Sequence, residues 1–150
     1  MKFLRAFLVL FAVILLSACG ASGPKHTEVA SAIPNLKATD GRIYFYRSNN
    51  YVGGGVRPSI YLNEEIVGDS KPGGFFFVDK AAGSVSVSTS TEVEKKLTFS
   101  LEAGQTRYVK TSAGFGLFIA RIYPELVDDA TGAKEIAETS YTGRSAATSK

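Results

Sequence analysis

A chain of 150 residues, 45% hydrophobic and 21% charged, has room for one domain of ordinary size and is too apolar to be disordered. Its formal charge is +3, and with Lys2 and Arg5 set aside 15 Lys plus Arg stand against 14 Asp plus Glu. No block of like charge runs along it, which excludes the electrostatic footprint of a nucleic-acid binder.

The first residues read as a secretory signal. Lys2 and Arg5 form a positive start, Ala6–Leu16 is an unbroken apolar run, and Ser17-Ala18 supplies small side chains. A membrane-spanning helix needs about 18 or more apolar residues, so this run is short for one. Leu16-Ser17-Ala18-Cys19 then resembles the lipobox of bacterial lipoproteins: an aliphatic residue, two small residues and a cysteine. That resemblance implies a diacylglycerol on the Cys19 thiol, cleavage of residues 1–18 just before it, and an acyl chain on the new amino group. The competing reading is an ordinary signal peptide, or an uncleaved anchor, with a chance cysteine. One acyl chain binds a bilayer reversibly and two or more hold it stably. Gly20, where an Asp would favour retention at the inner membrane, favours the outer membrane. Acylation of the only cysteine leaves the mature domain without a free thiol or a disulfide.

Residues 19–40 lack sustained periodicity and are rich in Gly, Ser, Pro, Lys and Thr, so they read as a lipidated N-terminus and flexible tether. His26, the only histidine, falls in that tether and is expected to be solvated. From Gly41 short runs of Val, Ile, Phe, Tyr and Thr alternate with turn residues. In Arg42–Arg47, Ile43 and Phe45 share one face and Tyr44 and Tyr46 the other. Gly53-Gly54-Gly55 reads as a flexible hairpin loop leading to Ser59–Leu62. Asn63–Glu65 is a turn into the return strand Ile66–Gly68. Phe75–Val78 is apolar on both faces and is expected to be central. Ser84–Ser90 and Lys95–Leu101 alternate strictly, as antiparallel strands with one wet face do. Thr106–Thr111 and the apolar run Phe115–Tyr123 follow. The expected fold is all-β, an antiparallel sandwich or small barrel of about seven or eight strands. The spacing of Leu126, Val127, Ala130, Ala133, Ile136 and Ala137 predicts a short C-terminal helix within 126–139, although Gly132 disfavours it. The domain thus spans 41–139, and residues 140–150 read as a disordered tail.

Catalytic chemistry finds little support. The only Cys and His are the acylation candidate and a tether residue, so metal sites, cofactors and Cys–His or Ser–His–Asp systems are not expected. Glu64/Glu65 reads as a solvated turn and Asp128/Asp129 as charge at a helix N-terminus. Gly53–Gly55 is not followed by the Gly-Lys-Ser/Thr of a phosphate loop. The residues with most scope for binding are Tyr44, Tyr46, Arg47, Arg57, Tyr61, Arg107 and Tyr108, together with Arg42. They are either the rim of a sandwich core or an exposed aromatic and basic strip for a peptide, glycan or lipid.

Gly41–Arg47 (GRIYFYR), Pro58–Asp69 (PSIYLNEEIVGD), Gly73–Ser88 (GGFFFVDKAAGSVSVS) and Leu101–Lys110 (LEAGQTRYVK) together resemble a small bacterial lipoprotein family known as domain of unknown function 2846. Asn63-Glu64 stands where that family's hairpin usually has Asn-Gly. The resemblance covers about 41–123, implies an envelope lipoprotein with a β-sandwich-like domain, and brings no functional residue with it. The expected function is therefore a non-enzymatic binding or structural module, anchored to the membrane by lipid, with an envelope protein as its partner. The alternative is a carrier of a small ligand, peptide or glycan, or a weak enzyme, using a Tyr/Arg-lined pocket.

Overall fold

Period-two alternation builds two sheets that share one apolar interior. The computed structural model describes residues 20–50, 53–114 and 121–143. Nine strands occur among them: β1 (Asp40–Tyr46), β2 (Ser59–Leu62), β3 (Glu65–Asp69), β4 (Gly74–Ala81), β5 (Gly83–Thr89), β6 (Glu92–Leu101), β7 (Thr106–Gly114), β8 (Arg121–Val127) and β9 (Ser140–Tyr141). A five-stranded sheet has the order β8-β7-β1-β4-β9 and a four-stranded sheet the order β3-β2-β5-β6. The all-β, two-sheet fold expected from the sequence is therefore present. It is not wholly antiparallel: β1 runs parallel to β7, and β4 parallel to β9. β7 reaches β1 after the chain has passed through the second sheet, and β9 reaches β4 after a helical segment that follows β8. Alternation within one strand carries no information on a partner's direction.

Ile43 and Phe45 of β1 face the second sheet, where Ile60, Leu62, Val85, Val87 and Leu101 meet them with Phe76 and Val109. Phe45 and Phe76 stack with ring centroids 5.0 Å apart. Burying each such side chain contributes about 1.5–3 kcal/mol, so this interior is the main source of stability. The other face of the first sheet is also covered. Tyr44, Tyr46 and Phe75 pack there beneath Ile136, Val29 and Ile33. The covering layer is α1 (His26–Val29), a 3-10 turn (Ala30–Ala32) and α2 (Asp129–Ile136). This third layer explains why Phe75–Val78 is apolar on both faces: Phe76 and Val78 point between the sheets, Phe75 and Phe77 toward the helices. The run is not fully central, since its outer neighbour β9 pairs only with Gly74 and Phe75.

Turn chemistry matches the residues present. Asn63 and Glu64 adopt φ values of 48° and 73°, and Ser86 N–H donates to Asn63 Oδ1 at 2.8 Å. The expected C-terminal helix exists but is shorter, because Leu126 and Val127 belong to β8. Asp128 caps it, accepting from Thr131 N–H at 2.9 Å, and that bond holds its carboxyl below the usual carboxylate range. Gly132 sits inside the helix because α2 lies directly on Tyr108: a β-carbon there would be 2.5 Å from Tyr108 Cβ and would also run into Cγ.

Four local expectations are corrected. Residues 21–34, expected to be a flexible tether, are docked on the domain. Ala21 N–H donates to Pro72 O at 3.1 Å, Tyr141 N–H to Pro24 O at 2.8 Å and His26 N–H to Thr139 O at 3.0 Å. His26 is half-buried, its ring edge-on to Phe75 and Tyr44 at 5.1 and 5.7 Å, rather than solvated. Ser140 and Tyr141, expected in a disordered tail, form β9, and Thr142 N–H continues the pairing by donating to Phe75 O at 2.8 Å. Finally, Gly53–Gly55 is not a hairpin loop, since β1 and β2 lie in different sheets and the segment crosses between them. Residues 144–150, and 115–120 of the expected strand Phe115–Tyr123, lie outside the described residues, as do Leu16, Ser17, Ala18 and Cys19. No described helix is long and apolar enough to cross a membrane.

Candidate functional site

The seven Tyr and Arg residues singled out from the sequence do not make one surface. Tyr44, Tyr46 and Tyr108 come together on the helix-covered face of the first sheet, with Tyr44 stacked on Tyr108 at 5.4 Å. Tyr46 is only 2% exposed and donates through its hydroxyl to Glu135 Oε2 at 2.6 Å, while Lys110 Nζ reaches the same carboxylate at 2.9 Å. Burial first, and Glu135 second, push the Tyr46 hydroxyl far above its ordinary pKa, and the Tyr46 bond pulls Glu135 below its own. This is a fastening between sheet and helix, and it leaves no aromatic face for a ligand.

Arg42 and Arg47 are buried as well. Arg42 grips Asp79 with two bonds of 2.7 Å, donates to Pro34 O at 2.8 Å and lies 4.7 Å over the Phe77 ring. That fork-to-carboxylate pair ties β1 to β4 and raises the Arg42 pKa, and the bond to Pro34 O closes the docked N-terminal segment onto it. Arg47, 3% exposed, donates to Val56 O at 2.7 Å and Gly53 O at 2.8 Å, so it pins the crossing segment from beneath. Arg57 is exposed on that segment, and Tyr61 is half-buried on β2 in the other sheet. Arg107 alternates with Tyr108 on β7, and its Nε is buried without a hydrogen-bond partner among the described residues. Exposure of these side chains was the property that separated a recognition strip from a core rim. Tyr44, Tyr46, Arg42 and Arg47 fall on the core side, where β1 needs both faces covered.

The concavity that the fold does present lies elsewhere. A cleft of about 630 Å³ opens between β3, the edge of the second sheet, and β4 with β9, the edge of the first. Phe76, Phe77 and Tyr141 form its apolar wall, and Ile66, 63% exposed, stands at its rim. Asp69, Lys71 and Ser59 bring polar groups to one end, where Ser59 Oγ donates to Asp69 Oδ1 at 3.0 Å. Gly68 lets the wall close on itself, since a β-carbon there would sit 2.6 Å from Phe76 Cζ. The size is that of small-ligand sites, which are mostly apolar with a few convergent polar groups. These residues were not recognisable as a set in the sequence. They come from segments far apart in the chain, and only the packing of two sheet edges brings them together. The one local hint was Ile66, a large apolar residue directly after the polar turn Asn63–Glu65. Among the described residues no three His, Cys, Asp or Glu side chains converge as they would around a metal ion.

Comparison with known proteins gives a consistent placement. No solved structure matches the chain. An uncharacterised protein of Haemophilus influenzae is 26% identical over 129 residues, covering 83% of this chain and 76% of the relative. The model of the family described as protein of unknown function, DUF2846, matches residues 37–120, which run from the turn before β1 through β7. Over that span lie both sheets' central strands and most of the interior, and the chain belongs to the DUF2846 family.

Proposed function

We propose that this chain is a bacterial envelope lipoprotein, acylated on Cys19 with a diacylglyceryl and an N-acyl group, with a β-domain that serves as a non-enzymatic binding module on the outer membrane. The observation that carries the reading is Leu16-Ser17-Ala18-Cys19 at the end of the apolar run Ala6–Leu16. The fold is compatible with it: the first described contact to the domain is made by Ala21, so cleavage before Cys19 removes no described element. The partner is an envelope component, and the membrane is engaged through lipid. The direct test is palmitate labelling of the cells with and without globomycin, for wild type and Cys19→Ala. Labelled mature protein in wild type only, with the precursor accumulating under globomycin, is the expected result. Unlabelled wild type sinks the reading.

A second reading is favoured by the cleft: a carrier of a small ligand, peptide or glycan held between β3 and β4/β9. It differs from the Tyr/Arg pocket expected from sequence, since Phe77, Tyr141, Ile66 and Lys71 line it instead. The chain has no Trp, so Ile66→Trp places a single indole at the rim. Titration with oleate, a muropeptide and a short apolar peptide should shift its emission for at least one of them. Emission unmoved by all three discards the carrier.

A further inference from the structure

The lipid anchor and the docked N-terminal segment, taken together, determine how the domain meets its membrane. The argument rests on acylation of Cys19, and the structure supplies the rest. Ala21 N–H is bonded to Pro72 O, and Lys25 forms an antiparallel bridge with Ser140. Gly23 passes so close to β9 that a β-carbon on it would run into Tyr141 O and lie 3.0 Å from Tyr141 C. Lys25 Nζ donates to Glu138 O at 2.7 Å, and the chain then continues down the covered face of the first sheet to Pro34, whose carbonyl Arg42 holds. A segment fastened at this many points does not act as a tether.

Only Gly20 separates Cys19 from Ala21. A chain spans at most about 3.6 Å per residue, so Cys19 is within about 7 Å of Ala21, against about 70 Å for twenty free residues. The thioether sulfur of a diacylglyceryl cysteine sits at the level of the lipid headgroups. Pro72, and with it one end of the sandwich, is therefore held at that level. Which end this is follows from the pairing. Ser70 N–H bonds Pro58 O, Ser90 N–H bonds Ser59 O and Arg47 N–H bonds Gly74 O, so the β1–β2, β3–β4 and β5–β6 connections all lie at the Pro72 end. The turns Asn63–Glu64 and Glu102–Gly104 lie at the other, where Gly104 N–H bonds Asp40 O. β1, seven residues long, separates the two ends by about 20 Å at about 3.3 Å per residue.

We propose that this lipoprotein has no tether: the Pro72 end of the sandwich, with Ser48, Asn49, Lys71 and Thr142, rests against the lipid headgroups, and the strands stand away from the bilayer with Ala103 outermost. These contact residues carry hydroxyl, amide and ammonium groups that can hydrogen-bond to lipid headgroups. The polar end of the β3–β4/β9 cleft, at Asp69, Lys71 and Thr142, then opens beside the membrane rather than away from it.

The test uses the full acylated protein in vesicles of phosphatidylethanolamine and phosphatidylglycerol. Acylation consumes the Cys19 thiol, so Asn49→Cys and Ala103→Cys, both at exposed positions, each carry the only free thiol and accept a fluorophore. Headgroup-labelled quencher lipid should quench the label at 49 several-fold more than the label at 103. Inserting about 15 Gly/Ser residues between Gly20 and Ala21, with a reach of about 20 Å, should abolish that difference while the protein stays on the vesicles. Equal quenching at both positions overturns the proposal. So does a difference that survives the insertion, which instead assigns the orientation to another contact, such as a second copy of the chain. Protein that carries no acyl group and leaves the vesicles refutes the lipoprotein reading itself, a result separate from either quenching outcome.

Discussion

Gly132 lies in α2, where replacing Gly by Ala ordinarily stabilises a helix by about 1 kcal/mol. Here the opposite sign is expected. A β-carbon at 132 would run into Tyr108 Cγ and lie 2.5 Å from its Cβ and 2.6 Å from its Cδ2, against an ordinary separation of about 3.5–4 Å. The contacts are with the root of the side chain, which cannot swing aside, and the ring is stacked on Tyr44. The helix must then lift by about 1 Å, loosening Ile136 and the Tyr46–Glu135 bond. Contacts this short put the cost in the upper part, about 2–3 kcal/mol, of what overpacking takes, so with the helix gain of about 1 kcal/mol set against it the net for Gly132→Ala is a loss of about 1–2 kcal/mol. In a chain of this size that lowers Tm by about 3–8 °C. Urea and thermal unfolding of the mature chain carrying Cys19→Ser provides the measurement. In a Tyr108→Gly background, which removes Cβ together with the ring, the same substitution should become neutral or stabilising, a coupling of about 2 kcal/mol. Gly132→Ala stabilising the protein with Tyr108 in place would refute close helix packing as the reason for this glycine.

Glu64 occupies a left-handed conformation usually left to Gly, and its ion pair with Lys96, at 3.5 Å on the surface, contributes little. Glu64→Gly should therefore raise stability by about 0.5–1 kcal/mol in urea melts, and a loss of stability would show that the ion pair outweighs the backbone. Tyr46→Phe leaves Glu135 held by Lys110 and should cost about 1–2 kcal/mol, with Glu135 titrating nearer its ordinary range by NMR; an unmoved Glu135 titration would rule out the bond as its cause. Burial lowers the His26 pKa from 6.5, so the unfolded chain binds the extra proton first. Docking of the N-terminal segment is then full above pH 6.5 and weakens as pH falls from there toward the folded-state value. Amide protection factors at Ala21 and His26, taken relative to the intrinsic exchange rate at each pH, should fall over that window in wild type and not in His26→Phe. Loss at Asp128 and Glu135, whose pKa values are also lowered, comes only at more acid pH.

The sequence alone determined the alternation that makes β1, β5 and β6, the turn at Asn63-Glu64, the acidic helix start at Asp128-Asp129 and the family, because each is a local pattern that neighbouring residues impose on the backbone. It also supplied the Leu16-Ser17-Ala18-Cys19 pattern from which the lipoprotein proposal comes. Tertiary structure decided what local pattern cannot carry. Tyr44 and Tyr46 read from sequence as the rim of a sandwich core or as part of an exposed strip, and only the arrival of α1 and α2 on that face made a second core of them. Residues 21–26 have no periodicity of their own, since their order comes from backbone bonds to Pro72, Thr139 and Tyr141, far away in the chain. Gly132 reads as a flaw in a helix until Tyr108 is placed beneath it. The cleft is the same case on a larger scale: its wall and rim belong to two sheet edges, and an edge is defined by which strand is missing beside it, which no residue in the strand records.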